Sequence, residues 1–109
     1  MTDQEKKEFL SEVLEENGWK STHGCVIGAK EQVLRNHCRY SKEGLFIVII
    51  EDAKEGKDID VNIYINKVRF FTLPLKEYEI FSDHIEFTSF GVSVMIRLSD
   101  AYVLMEYQP

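Results

Sequence analysis

Proline, cysteine and glycine are scarce in this 109-residue sequence, at two, two and six residues. With so few prolines and glycines, we expect no long linker in the chain. Two cysteines cannot form the disulfide framework of small secreted domains, so we expect free thiols in a reducing compartment, with the cytoplasm as the default location. No apolar stretch follows the charged N-terminus, which argues against a secretory signal. No segment approaches the ~20 consecutive apolar residues of a membrane-spanning helix.

Basic residues are also in deficit, because 13 lysines and arginines face 19 acidic residues and leave a net charge of −6. An overall negative field repels phosphate backbones, so we expect no direct nucleic-acid binding and no membrane contact. Hydrophobic residues make up 44% of the chain, which is typical of a globular domain. The sequence therefore predicts one domain over residues 1–109, long enough to build a core without disulfides or metal ions.

The first predicted element is a helix that starts after Thr2. Thr2 and Glu5 have the spacing of a capping box, in which each side chain bonds the backbone of the other residue. Apolar residues then recur at helical spacing and form one stripe, at Phe9, Leu10, Val13 and Leu14. Gly18 is a suitable helix end, since glycine accepts the left-handed conformation.

A second helix is predicted further along, where helical spacing returns after a segment that favours neither helix nor strand. Its start lies near Thr22 or at Ala29, and the residues that share its apolar face are Ala29, Val33, Leu34, His37 and Cys38. Residues 20–28 contain two glycines and a short apolar run, so a strand or a buried turn is equally compatible with them.

Residues 45–107 have the pattern of short strands joined by tight turns. The run 45–50 is apolar at every position, which predicts a central strand covered on both faces. Later segments alternate between apolar and polar residues, with turn signals such as Asn66-Lys67 and Ser99-Asp100 between them. We therefore predict an α+β fold, in which one or two N-terminal helices pack on an antiparallel meander sheet of five to seven strands.

Aromatic residues concentrate on the predicted sheet. Phe70 and Phe71 are adjacent, so one of them must point away from the face that the other buries. Phe81, Tyr64 and Tyr102 pose the same question. If one face of the sheet is uncovered, several of these rings form an exposed binding surface. The alternative is a sheet that curls enough to bury both rows.

Four potential metal ligands, His23, Cys25, His37 and Cys38, lie within sixteen residues. They lack the paired-cysteine spacing of a zinc knuckle, and adjacent His37 and Cys38 would point about 100° apart on a helix. The same residues could supply a nucleophilic Cys/His pair or a Cys25–Cys38 disulfide, but no pattern in the sequence favours either. We therefore predict no metal site, no cofactor and no catalytic residue, and expect that the chain is not an enzyme.

Two hypotheses for function follow. The first is a small acidic protein-interaction module that binds and inhibits or regulates a partner macromolecule, as immunity proteins, antitoxins and defence inhibitors do; the analogy is one of size and charge only. Negative charge would speed docking to a basic or nucleic-acid-handling protein. The predicted contacts are the acidic residues of the loop 51–60 and of the first helix, namely Glu51, Asp52, Glu55, Asp58, Asp60, Glu12 and Glu16.

The alternative hypothesis is a domain that binds or sequesters a small ligand. Its pocket would lie between sheet and helices and be lined by Trp19, His37 and aromatic residues. Under either hypothesis the open edge of a meander leaves a strand through which a homodimer could form.

Overall fold

The computed structural model describes residues 2–27, 34–52, 59–89 and 91–107. The chain begins with the helix α1 (Asp3–Glu16). Its capping box is confirmed, because Oγ1 of Thr2 accepts from the Glu5 backbone N–H at 3.2 Å and Oε1 of Glu5 accepts from the Thr2 N–H at 3.2 Å. The predicted stop is confirmed as well, since Gly18 has a φ of +81° immediately after the helix.

Nine strands of the described residues form two antiparallel meanders, one after the other along the chain. The first sheet holds, in spatial order, β1 (Lys20–Ile27), β2 (Leu34–Lys42), β3 (Leu45–Asp52), β4 (Ile59–Ile65) and β5 (Val68–Pro74). A short 3₁₀ helix (Leu75–Glu77) leads into the second sheet, which holds β6 (Tyr78–Ile80), β7 (His84–Ser89), β8 (Val92–Arg97) and β9 (Val103–Tyr107). The predicted α+β class is confirmed, with the strands divided between two sheets.

The predicted second helix is wrong over its described part, where β2 replaces it. This strand pairs on both sides, so that Cys38 lies opposite His23 of β1 and Ile49 of β3. Pairing on both edges satisfies the backbone groups of β2, and successive side chains then point to opposite faces. These long-range hydrogen bonds override a local helical spacing. Residues 28–33, which belong to the same prediction, lie outside the described residues.

The core lies between α1, one face of the first sheet and one face of the second sheet. We call that side of the first sheet its inner face and the opposite side its outer face. Ile47 and Ile49 of β3 are fully buried on the inner face, together with Leu14 of α1. The ring nitrogen of Trp19 donates to the carbonyl of Leu98 at 2.7 Å and ties the end of α1 to the second sheet.

The predicted central position of the run 45–50 is confirmed, because β3 is the third of the five strands. Its two faces differ, however. Leu45, Ile47 and Ile49 are buried, whereas Phe46, Val48 and Ile50 on the outer face are only partly buried. The structure therefore leaves an apolar strip accessible where the sequence predicts a covered face.

A lysine on α1 fixes the connection between the two sheets. The ammonium group of Lys6 donates to the carbonyls of Leu75, Lys76 and Tyr78, at 3.3, 3.2 and 2.7 Å. These bonds satisfy three carbonyl groups around the 3₁₀ helix, so they hold α1 and the start of the second sheet together.

Candidate functional site

The strand register brings three rows of side chains together on the outer face of the first sheet. The central row runs from Arg39 of β2 to Val48 of β3 and Asn62 of β4, which lie directly opposite one another. The flanking rows place His37 beside Ile50 and Phe46 beside Tyr64. Side chains directly opposite in an antiparallel pair are close neighbours, so these rows form one continuous surface.

This surface is concave. A cavity of about 630 Å³ lies on it, and we call it the outer-face groove; its lining residues are His37, Arg39, Phe46, Val48, Ile50, Tyr64 and Lys67. The volume lies within the range of roughly 300–1,000 Å³ that is typical of small-molecule sites. The floor is apolar and aromatic, and the basic side chains around it belong to His37, Arg39 and Lys67.

Two cations line the groove, and one of them contacts a neighbouring aromatic ring. The guanidinium carbon of Arg39 lies 4.0 Å from the centre of the Phe46 ring, which is a cation–π contact. Lys67 belongs to the predicted hairpin turn with Asn66, and both residues have positive φ angles, 67° and 51°. The turn therefore places one cation at the rim while the ring of Phe46 positions the other.

Two polar atoms on the outer face are buried without a hydrogen-bond partner among the described residues. They are Nδ1 of His37 and the side-chain oxygen of Asn62, a residue that is 5% exposed. Buried polar atoms are normally paired, so these two are unsatisfied positions beneath the outer face. The side-chain oxygen of Asn62 can accept a hydrogen bond, and Nδ1 of His37 can accept or donate one according to its tautomer.

Gly24 of the edge strand β1 makes room for His37. A Cβ atom at this position would lie 2.6 Å from Cε1 of His37, far inside contact distance. The missing side chain lets the imidazole ring lie flat against β1, where it lines the end of the outer-face groove.

The inner face holds a second group of functional side chains. Sγ of Cys38 lies 3.0 Å from Nδ1 of His23, its partner residue on β1. Close by, Lys7 of α1 forms an ion pair with Glu51 of β3 at 2.7 Å. These four side chains line a cleft of about 360 Å³ together with Gly24 and His37, so we call the group the thiol cleft.

Two of the four potential metal ligands, His23 and Cys38, are in contact. His37 follows the outer-face rows, because adjacent residues of a strand point to opposite faces, and the side chain of Cys25 lies outside the described residues. In the described part of the chain, no three His, Cys, Asp or Glu side chains lie close enough to hold one metal ion. The sixteen-residue spacing indicated neither the contact nor the separation.

The predicted acidic contacts do not form one surface in the described residues. Glu51 is paired with Lys7, while Asp60 lies on the outer face opposite Ile50. Glu12 and Glu16 are exposed one turn apart on α1. The side chain of Asp52 and the residues Glu55 and Asp58 lie outside the described part of the chain.

The predicted pocket between sheet and helices is occupied by the core. Trp19 is 4% exposed and packs inside the core cluster, whereas His37 lies on the other side of the first sheet. The two residues therefore cannot line one pocket. The signal that does lead to the groove is the absence of alternation in 45–50, since an apolar residue at every position supplies a hydrophobic floor to both faces.

The sequence matches no protein-family model, and it has no significant similarity to a curated protein or to a solved structure. Among the described residues, no helix has the length and apolar character needed to cross a membrane.

Proposed function

We propose that this chain is a binding module that takes a small anionic ligand with a flat apolar body into the outer-face groove. The observation that carries the proposal is an aromatic floor lined by two cations, Arg39 and Lys67, of which Arg39 is positioned by its contact with Phe46. This is the ligand-binding function considered from the sequence, at a different place in the fold.

The charge of the groove supports an anionic ligand. Arg39 presents a guanidinium group, whose fork of donors matches a carboxylate or a phosphate with two parallel hydrogen bonds. Its contact with Phe46 restricts the side chain before any ligand arrives, which lowers the entropy cost of binding. Asp60 lies on the same face opposite Ile50 and the chain as a whole is negative, so the attraction for an anion comes from Arg39 and Lys67 at short range.

The size and floor of the groove support a small, flat ligand body. Phe46 and Tyr64 lie opposite each other and offer ring faces, while Val48 and Ile50 extend the apolar floor. Tyr64 and His37 are also polar members of the lining. A few polar groups in an apolar cavity are the usual composition of a specific small-molecule site.

A second candidate is the regulator of a basic partner protein, for which the cytoplasm remains the expected location. Glu12 and Glu16 favour it, because both are exposed and neither has a basic partner among the described residues. Exposed charge of one sign increases the rate of docking to an oppositely charged protein. Charge reversal at Glu12 and Glu16 should then abolish retention of a partner from native lysate at low salt.

The experiment for the groove compares two fluorescent probes with the same aromatic body. One is 1-anilinonaphthalene-8-sulfonate, and the other is N-phenyl-1-naphthylamine, which lacks the sulfonate. We expect saturable binding of the anionic probe to the folded protein, and about tenfold weaker binding after Arg39→Gln, since a charge-assisted hydrogen bond contributes about 1.5–3 kcal/mol. Arg97→Gln, on the second sheet, is the matched control and should leave the affinity unchanged.

Equal affinity for the charged and neutral probes would refute the role of the groove cations. So would an Arg39→Gln variant that binds the sulfonate as well as the wild type does. Circular dichroism and melting curves accompany each titration, because the same dye also binds partly folded states.

A further inference from the structure

The antiparallel register of β1 and β2 makes Cys38 and His23 direct partners on the inner face of the first sheet. Their side-chain atoms Sγ and Nδ1 lie 3.0 Å apart, within the reach of a sulfur hydrogen bond. A base in contact with a thiol is the arrangement that activates cysteine nucleophiles. Cys38 is a free thiol, so this contact is available for chemistry.

The thiol cleft gives this pair access to small molecules. Its volume is about 360 Å³, and it opens where β1 forms the edge of the sheet. Gly24 contributes no side chain there, and His23 is exposed. Cys38 is half-buried, which separates it from the fully buried residues of the core and from a freely solvated surface thiol.

Charged groups from two elements, α1 and β3, face Cys38. Burial raises the pKa of the Cys38 thiol, and the carboxylates of Glu51 on β3 and Glu15 on α1 also raise it. The ammonium of Lys7 on α1 has the opposite effect. The nucleophile is the thiolate, so reaction of Cys38 requires a base in contact with the thiol, and His23 is in that position.

We propose that Cys38 is a site of reversible thiol modification by small disulfides, with His23 as the general base. Nδ1 of His23 accepts the proton of Cys38, and Sγ attacks one sulfur of the disulfide. The S–S bond of the reagent breaks, a mixed disulfide forms on Cys38, and the departing thiolate takes the proton from His23. The incoming disulfide is the only oxidant, so atoms and electrons balance. Lys7 lies near the sulfur while negative charge develops on it.

This site goes beyond the ligand function proposed above and does not depend on it. The thiol cleft is centred on the inner face, whereas the outer-face groove lies on the opposite side of the sheet. Cys38→Ser should remove the modification and leave binding of the anilinonaphthalene sulfonate unchanged, so failure of one proposal can be told from failure of the other.

The test measures the alkylation rate of Cys38 by iodoacetamide in a Cys25→Ser background, by mass spectrometry, from about pH 6 to about pH 9. With an imidazole base in contact with the thiol, the rate should reach a plateau within this pH range. After His23→Gln, it should fall about tenfold for each pH unit below the pKa of the thiol. His84→Gln is the matched histidine control and should keep the wild-type profile.

Oxidised glutathione is the disulfide probe. We expect one mixed disulfide per chain, absent in Cys38→Ser and formed about tenfold or more slowly in His23→Gln at neutral pH. A profile of the Cys25→Ser protein that rises steadily with pH up to about pH 9 would overturn the proposal, and this result needs no change at His23. Rapid alkylation without any glutathione adduct would overturn the assignment of a disulfide as co-reactant.

Discussion

Replacing Tyr78 by Phe should stabilise this protein. Tyr78 of β6 is 1% exposed and lies in the core, and its hydroxyl group has no hydrogen-bond partner among the described residues. Its ring packs against Phe87, with the ring centres 5.1 Å apart. Burial alone raises the pKa of Tyr78 strongly, because the ionised form would lose its hydration there.

The expected magnitude follows from the cost of an unsatisfied polar group. A buried hydroxyl without a partner costs roughly 1–3 kcal/mol, and Tyr78→Phe removes that cost. The substitution deletes one oxygen atom and leaves a void smaller than a methyl group, whose penalty is below ~1 kcal/mol. We therefore expect a gain of about 1 kcal/mol in the free energy of unfolding, or about 4 °C in melting temperature.

Tyr40 supplies a matched control, because it is similarly buried, at 2% exposure, but its hydroxyl group is not among the unpaired buried atoms and interacts with the side chain of Ser11, which lowers its pKa against the effect of burial. Tyr40→Phe should lower the free energy of unfolding by about 1 kcal/mol. Urea unfolding followed by the fluorescence of Trp19, the single tryptophan, measures both variants. A loss of stability in Tyr78→Phe similar to that in Tyr40→Phe would refute the reasoning, since it would mean that the Tyr78 hydroxyl is satisfied.

Three further predictions concern stability. In the unfolded chain Tyr78 loses its proton at about pH 10, whereas in the folded protein it does so only at higher pH. The free energy of unfolding should therefore fall above about pH 10, by up to about 1.4 kcal/mol per pH unit for each such tyrosine. Urea unfolding at rising pH should show a shallower fall in Tyr78→Phe than in the wild type. Lys6→Met should cost about 2 kcal/mol in urea unfolding, because it leaves carbonyl groups near the 3₁₀ helix unpaired, whereas the exposed Lys76→Met should be neutral. Gly24→Ala should cost about 1 kcal/mol through its clash with the His37 ring, and a double-mutant cycle with His37→Ala should recover most of that loss; additive costs would contradict the contact.

The two proposed sites use opposite faces of the same two strands. Along β2, Arg39 contributes to the outer-face groove and Cys38 to the thiol cleft, because successive residues of a strand point to opposite sides. The ring of His37 lines both cavities, but Arg39 lines the groove alone and Cys38 lines the cleft alone. Substitutions at Arg39 and Cys38 therefore test small-ligand binding and thiol modification separately.

Features that depend on neighbouring residues could be predicted from the sequence. The capping box of Thr2 and Glu5, the stop at Gly18 and the turn at Asn66 and Lys67 were all predicted, because each depends on residues within a few positions of one another. The alternation of the later strands and the central place of the run 45–50 belong to the same class, since burial and strand period are written into composition and spacing.

Long-range pairing decided the rest. Residues 34–42 have a helical spacing over part of their length, yet two neighbouring strands satisfy their backbone groups, and this pairing made them β2. The same pairing set Cys38 against His23 and kept His37 apart from Trp19. Whether a face of the first sheet is covered depends on where α1 and the second sheet pack, and they cover the inner face. The sequence by itself therefore determined the helix, the turns and the apolar strand, while only the tertiary structure left Phe46 and Arg39 on an accessible face, because that choice depends on contacts between residues far apart in the chain.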